Sequence, residues 1–400
     1  KAVEHSLNQE ILIKGKSVIY DPFMGSGTTN LVAKSLGYNS IGVEAHPFVF
    51  SITKAKMNWD LNEVEVMGAV KSLRDLVLKS KHPQDLKEYL KNKFPELILK
   101  CFLPETLFEL LTIRNGIQKL HIKEETKDFL NVAITCVLRD VSIAATGWPY
   151  IAPNKIKITS MSKKGAETYF NKVIKMFGDF KLIKKVSSTE KTNHRLFLGD
   201  SRNTKKQIKS DSVDHIFTSP PYLNNFDYAD RTRLEMYFMG AANNWGDISE
   251  KVRTKLITSA TTQISRTDVK YKFSSGFKKD CPDVYSFLSK AVTELEELRL
   301  VKGGKKSYDL LIVGYFNDLY EILKENFRVL KKGRKGIYIL GDSAPYGVHI
   351  PTDVLIGEIG KCVGFSFFTI DVLRLRGGKW EHNPQRHSVG LRESVVTLIK

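Results

Sequence analysis

The sequence predicts an α/β protein: a doubly wound sheet with helices on both faces, plus a mainly helical inserted lobe. Three observations carry that prediction. Residues 16–44 run strand, glycine turn, helix, strand, the βαβ unit of such a sheet. From about residue 50 to 145 apolar residues recur at spacings of three and four, the mark of amphipathic helices. Strand character returns at HRLFLGD (194–200) and DSVDHIFTSPPY (211–222).

In chain order, KSVIYDPF (16–23) reads as a strand and MGSGTT as a tight turn; TNLVAKSLG reads as a helix ending at a glycine, and YNSIGVEAHP as a second strand. The helical stretch contains VMGAVKSLRDLVLKS, PQDLKEYLKNKFPELILKCF, PETLFELLTIRNGIQKL and KEETKDFLNVAITCVLRDVSIAA; GWPYIAPNK breaks it with two prolines, and TYFNKVIKMFGDF resumes it. Residues 1–58 and 190–400 are therefore expected to form a split core, and 59–189 a helical insertion that serves target recognition or support. Residues 229–310 read as a basic mixed segment with helices ADRTRLEMYFMG and VYSFLSKAVTELEELRL. LYEILKENFRVLKKGR reads as an amphipathic helix with a basic C-terminus, and KGIYILGD, FSFFTIDVLRLR and ESVVTLIK as three more strands.

The chain has 400 residues, long enough for a large core. No apolar run approaches the length of a membrane span, and the N-terminus KAVEHSLNQE has no apolar leader segment. The four cysteines are far apart with no Cys-x-x-Cys pair; this points away from a zinc or redox site and toward a reducing, cytoplasmic compartment. The net charge of +18 favours a polyanionic partner, nucleic acid above all, over a merely solvated basic surface.

DPFMGSGTT begins at the end of a strand, where open α/β sheets bind ligands. Gly25 and Gly27 permit close backbone approach, and the N–H groups at the helix start, Thr28 onward, face the ligand. Phe23 stands in the same turn. Asp21 suits a cationic amino group. Glu44 ends the second strand, where an acid bonds a ribose diol; Asp200 ends the third, where it accepts from an adenine amino group. These features favour S-adenosyl-L-methionine. Gly15-Lys16-Ser17 fails as a phosphate loop because Glu10 stands where the first glycine belongs, and a dinucleotide fingerprint lacks its third glycine. A tight turn holding no ligand is the plain alternative.

Ser219-Pro220-Pro221-Tyr222 ends the strand SVDHIFT. Two prolines fix their carbonyls in direction and free them from competing N–H groups. Those carbonyls and Ser219 can accept from an exocyclic amino group, and Tyr222 offers a face on which a flipped base stacks. An ordinary turn with an exposed tyrosine is the alternative.

DPFMGSGTT with GVEAHP, then LGDSR and SVDHIFTSPPYLNNFDY, resembles the S-adenosylmethionine-dependent amino-methyltransferases of restriction–modification systems, with their SPPY catalytic motif. LGDSAPYGVHIPTDVLIGEIGKCVGFSF and KWEHNPQRHSVGLRESVVTLIK resemble the closing motifs of that group. The resemblance covers about residues 16–58 and 194–400. It implies a Rossmann-like methyltransferase sheet. It implies Asp21, Phe23, Gly25, Gly27, Thr28, Glu44 and Asp200 as cofactor contacts, and Ser219, Pro220, Pro221 and Tyr222 as the catalytic corner. It implies double-stranded DNA as substrate, a cognate restriction endonuclease as partner and a bacterial or archaeal cytoplasm. In many SPPY enzymes the catalytic motif precedes the cofactor turn; here it follows.

Carbon-5 cytosine chemistry needs a cysteine after a proline, and the chain has only Cys281-Pro282, in the reverse order. An exocyclic nitrogen is thus the expected target. Family members with serine first in the motif mostly modify cytosine N4, so that base is favoured over adenine N6. An RNA base methyltransferase and a catalytically idle nucleic-acid-binding subunit are the alternatives. The loop 251–279, with Arg253, Lys255, Arg266, Lys270, Lys272, Lys278 and Lys279, is the candidate for backbone contact, beside the alternative of a solvated loop. Trp148 and Trp380 are candidate wedges for which core packing is the commoner role. His46, His382 and His387 show no metal spacing.

Overall fold

A computed structural model describes residues 1–146, 150–160, 163–267, 271–376 and 389–400. Trp148, Lys270, Trp380, His382 and His387 lie outside the described residues. The strands, in chain order, are β1 (Val18–Asp21), β2 (Asn39–Glu44), β3 (Ala144–Ala145), β4 (Ala152–Ile156), β5 (His194–Leu198), β6 (Val213–Thr218), β7 (Leu330–Gly341), β8 (Phe367–Arg376) and β9 (Leu391–Ile399). Seven of them form one sheet in the order β5-β2-β1-β6-β7-β9-β8. The first five pair in parallel, while β9 runs antiparallel to both β7 and β8. This is the doubly wound, mostly parallel α/β sheet that the sequence predicts.

Burial explains the order. Every residue of β6 is buried, and Ile19 and Tyr20 of β1 are sealed from solvent, as central parallel strands covered on both faces require. Chain progression reverses between β1 and β6: β2 and β5 lie to one side, β7 to the other. Such a switch point opens a crevice beyond the strand ends.

The chain divides into two compact units. The first holds Lys1–His46, Ser188–Asp227 and Thr254–Lys400, with the seven-stranded sheet; the second holds Pro47–Ser187 and Tyr228–Arg253. The second unit is mainly helical, with the short ribbon β3–β4. Tyr228–Arg253, read in the sequence as part of the basic segment, packs within it: Arg139 of helix Glu124–Val141 pairs with the buried Glu235 at 2.7 Å.

Two helical expectations change at their ends. PQDLKEYLKNKFPELILKCF folds as two helices, Leu86–Lys91 and Glu96–Cys101, because Pro95 lacks an N–H and sets the break. The helix expected over LYEILKENFRVLKKGR starts earlier and stops earlier, at Tyr308–Val329. Its basic tail joins β7, where Lys335 pairs with His215 of β6 and Ile399 of β9. Ladder pairing outweighs helical charge pattern there, since the tail has no apolar helical face to bury. Among the described residues, no helix is long and apolar enough to cross a membrane.

Candidate active site

The residues singled out in the sequence fall at the C-terminal ends of four consecutive strands. Asp200 follows β5, Glu44 closes β2, Asp21 closes β1, and Ser219 follows β6. Neighbouring strands lie about 4.8 Å apart, so the four ends span about 14 Å. That is the length of an amino acid joined to a nucleoside, followed by a target group.

The glycine turn is tied to both neighbours. Gly25 and Gly27 take left-handed backbone angles, φ +53° and +83°, which side-chain-bearing residues rarely adopt. The Gly25 N–H donates to Glu44 Oε2 at 2.8 Å, and the His46 N–H donates to Glu44 Oε1 at 2.7 Å. Glu44 therefore shapes the turn as well as facing its edge. Burial pushes its carboxyl upward, partly offset by those two bonds. Gly27 caps helix Thr28–Leu36 without a side chain, so the first N–H groups are open to a ligand. Thr28 is exposed at that start, and Phe23 is half-buried against the main core.

Asp21 is 4% exposed. Its Oδ1 accepts from the Phe23 N–H at 3.0 Å and from Thr218 Oγ1 at 2.7 Å. Burial raises its pKa, and the Thr218, Thr29 and Phe23 bonds oppose that. Thr218 immediately precedes the Ser-Pro-Pro-Tyr corner, so one buried hydrogen bond joins the glycine turn to the proline turn. Asp200 behaves differently. It is ion-paired with Arg202 at 2.7 Å, and Arg202 also holds Asp318 at 2.6 Å.

At the corner Ser219 is exposed and Pro220 buried. The sequence suggested that both proline carbonyls stay uncommitted. The Pro221 carbonyl instead accepts from the Tyr315 hydroxyl at 3.0 Å, because helix Tyr308–Val329 passes beneath the turn. Tyr222 donates to Glu393 Oε1 at 2.8 Å. Its hydroxyl is pushed up to about 12, first by burial and then by the Glu393 carboxylate, so the ring is neutral at physiological pH. Arg376 lies over that ring, 5.4 Å from its centroid.

Sequence reasoning missed Thr218, Tyr315, Glu393 and Arg376. Thr218 carries a local signal, as a hydroxyl at the end of a buried strand; the others become neighbours only through the fold. The basic loop is partly engaged elsewhere. Arg253 stacks on Trp245 at 4.6 Å, and Arg266 pairs with the buried Asp309 at 2.9 Å. Lys255, Lys272, Lys278 and Lys279 are exposed. Among the described residues, no group of His, Cys, Asp and Glu is arranged to hold a metal ion.

The donor set fits S-adenosylmethionine. The turn DPFMGSGTT contains no lysine or arginine to meet phosphates, and three carboxylates line neighbouring strand ends, suiting a ligand with cationic amino and sulfonium groups. A family model described as DNA methylase, of the N6/N4 kind, matches residues 2–55. The chain is 25% identical over 435 residues to the Type II methyltransferase M.BsoBI of Geobacillus stearothermophilus, covering all of this chain (100%) and 82% of that protein. It is 24% identical over 375 residues to the Type II methyltransferase M.AvaI of a Nostoc species, covering 89% and 74%. To the Type II methyltransferase M.MvaI of Kocuria varians it is 22% identical over 398 residues, covering 96% and 84%. Sheet, edge and relatives point the same way: the chain is similar to the S-adenosyl-L-methionine-dependent DNA amino-methyltransferases of restriction–modification systems.

Proposed function

We propose that the protein methylates cytosine N4 in double-stranded DNA within a Type II system, on a base flipped out of the duplex. The observation that carries this reading is the Asp21–Thr218 hydrogen bond, 2.7 Å, between the cofactor turn and the catalytic corner. Donor and acceptor groups held on adjacent strand ends meet without either turn having to move, the positioning that direct transfer needs.

S-adenosylmethionine would supply an electrophilic methyl group: as the carbon–nitrogen bond forms, the methyl–sulfur bond breaks to leave a neutral thioether, and the methylated nitrogen gives one proton to solvent. Asp21 would hold its amino group, the Gly25–Thr28 turn its backbone, Glu44 its ribose and Asp200 its adenine. Ser219 and the Pro220 carbonyl accept the exocyclic N–H groups of the target. Two accepted hydrogen bonds draw the nitrogen toward tetrahedral geometry and aim its lone pair out of the ring plane, a stabilisation realised as charge develops on nitrogen. Tyr222 stacks the base as a neutral phenol ring. No covalent enzyme intermediate is needed, in keeping with the absence of any Pro-Cys dipeptide. Serine at the first motif position supports cytosine over adenine. The second unit and the exposed lysines of 255–279 serve recognition and backbone contact in this reading.

The test is incubation with tritiated S-adenosylmethionine and, separately, unmethylated duplex DNA and total RNA, followed by nucleoside chromatography. Label in N4-methylcytosine from DNA is expected. N6-methyladenine would overturn the base assignment, label in RNA the polymer, and label in neither the activity.

A further inference from the structure

Three arginines stand at the ligand-binding edge on the last two strands. Strands β7 and β8 both run antiparallel to β9, so the end of β8 shares the edge with the catalytic corner. Arg374 and Arg376 close β8, and Arg392 opens β9. Two of them are committed to carboxylates: Arg374 to Glu393, and Arg392 to Asp353 at 2.7 Å. Arg376 is placed differently. Its guanidinium lies 5.4 Å from the centroid of Tyr222, and its Nη1 donates to the Asp342 carbonyl at 3.3 Å.

The surroundings are built around that contact. Gly341 lies directly beneath it. A Cβ at 341 would collide with Arg376 Nη1 and lie 3.3 Å from Tyr222 Cδ2. The glycine is what allows guanidinium and ring to meet. Tyr222 is fixed at its hydroxyl by Glu393, which pairs across the ladder with Gly341. A ring held by its hydroxyl on one strand and covered by an arginine from the next is a prepared stacking platform whose covered face carries a planar, delocalised cation. A guanidinium has the flatness of a base and stacks in the same way.

We propose that Arg376 is a positioning residue for the target nucleotide: without DNA it covers the Tyr222 face, and when the flipped base arrives it leaves the ring and binds a phosphate flanking that nucleotide. The exchange conserves both interactions. The ring trades a cation for a base, and the cation trades a π face and a carbonyl for a phosphate, a partner to which arginine binds in bidentate fashion. This inference rests on the base-flipping reading above, yet its first readout, DNA binding against salt, does not require turnover.

Binding of unmethylated duplex DNA is measured against salt for the wild type, Arg376→Ala and Arg376→Lys, with cofactor affinity and methyl incorporation followed in parallel. Loss of one phosphate contact lessens the slope of log affinity against log salt by about 0.9. Arg376→Ala is expected to show that flattening, with KM for DNA raised about tenfold, kcat within about threefold and cofactor affinity unchanged. Arg376→Lys keeps a charge and is expected to recover the slope. An unchanged slope in Arg376→Ala overturns the proposal, as does a fall in kcat at unchanged KM. Should Arg376→Ala fail to fold, Arg376→Gln, which removes the charge and keeps a long polar side chain, takes its place: a slope lowered by about 0.9 supports the proposal and an unchanged slope overturns it. Wild-type protein that binds DNA with normal salt dependence but transfers no label defeats the functional reading separately.

Discussion

Replacing Asp21 by asparagine separates cofactor recognition from folding. The two bonds from Phe23 and Thr218 both end on Oδ1, and an asparagine keeps an oxygen at that place. The backbone turn and the link to β6 should therefore survive. What is lost is the charge. Because Asp21 is buried and its pKa is raised, the ionised carboxylate is a cost to the ligand-free fold at neutral pH. The sign follows: a carboxyl whose folded pKa exceeds its unfolded value adds stability at low pH and loses that stability as pH climbs past its unfolded value. Asp21→Asn should thus melt at the same temperature as the wild type or higher near pH 7. Binding should fall, since a hydrogen bond to a charged group contributes about 1.5–3 kcal/mol, or roughly tenfold to a hundredfold in affinity for S-adenosylmethionine. Calorimetric titration with the cofactor and a thermal melt without it measure both. A variant that melts several degrees lower while binding cofactor normally would falsify the reasoning, because Asp21 would then be a structural acid alone.

Three further outcomes are expected. Tyr222→Ala should cost about 1–3 kcal/mol of base stacking, read as lower kcat/KM on DNA with cofactor affinity kept, while Tyr222→Phe, which retains the ring, should lose far less; equal losses would place the effect on the Glu393 bond. His215 is fully buried beside Ser6 at 3.1 Å, and burial lowers its pKa to about 4. The unfolded chain therefore takes the proton first, and stability present above about pH 6.5 drains away as pH falls toward 4. Unfolding free energies from urea titrations at pH 7.5 and pH 5 should differ by about 2 kcal/mol more in the wild type than in His215→Gln; identical pH dependence in both would exclude this residue as the source. Gly357→Ala would push a methyl group into the Phe368 ring where helix Thr352–Val363 lies on β8, and overpacking of that kind costs about 1–3 kcal/mol; an unchanged melting temperature would show that the helix can shift.

Local information was enough to read the elements that stretches of a few residues encode. DPFMGSGTT, GVE, LFLGD and TSPPY each announce a strand and the turn that ends it, because burial pattern, glycine freedom and proline rigidity act within a few residues. Their common place at one edge followed from parallel pairing, which sends every such strand end the same way. Contacts between residues distant in the chain were not legible in this way. Asp21 and Thr218 are 197 positions apart, Tyr222 and Glu393 171 apart, and no local pattern marks one as the partner of the other. The same holds for the Tyr315 hydroxyl that claims the Pro221 carbonyl, for Arg202 on Asp200 and for Arg376 on Tyr222. Side-chain type records what a residue can bond; the packing of strands and helices selects which bond it makes.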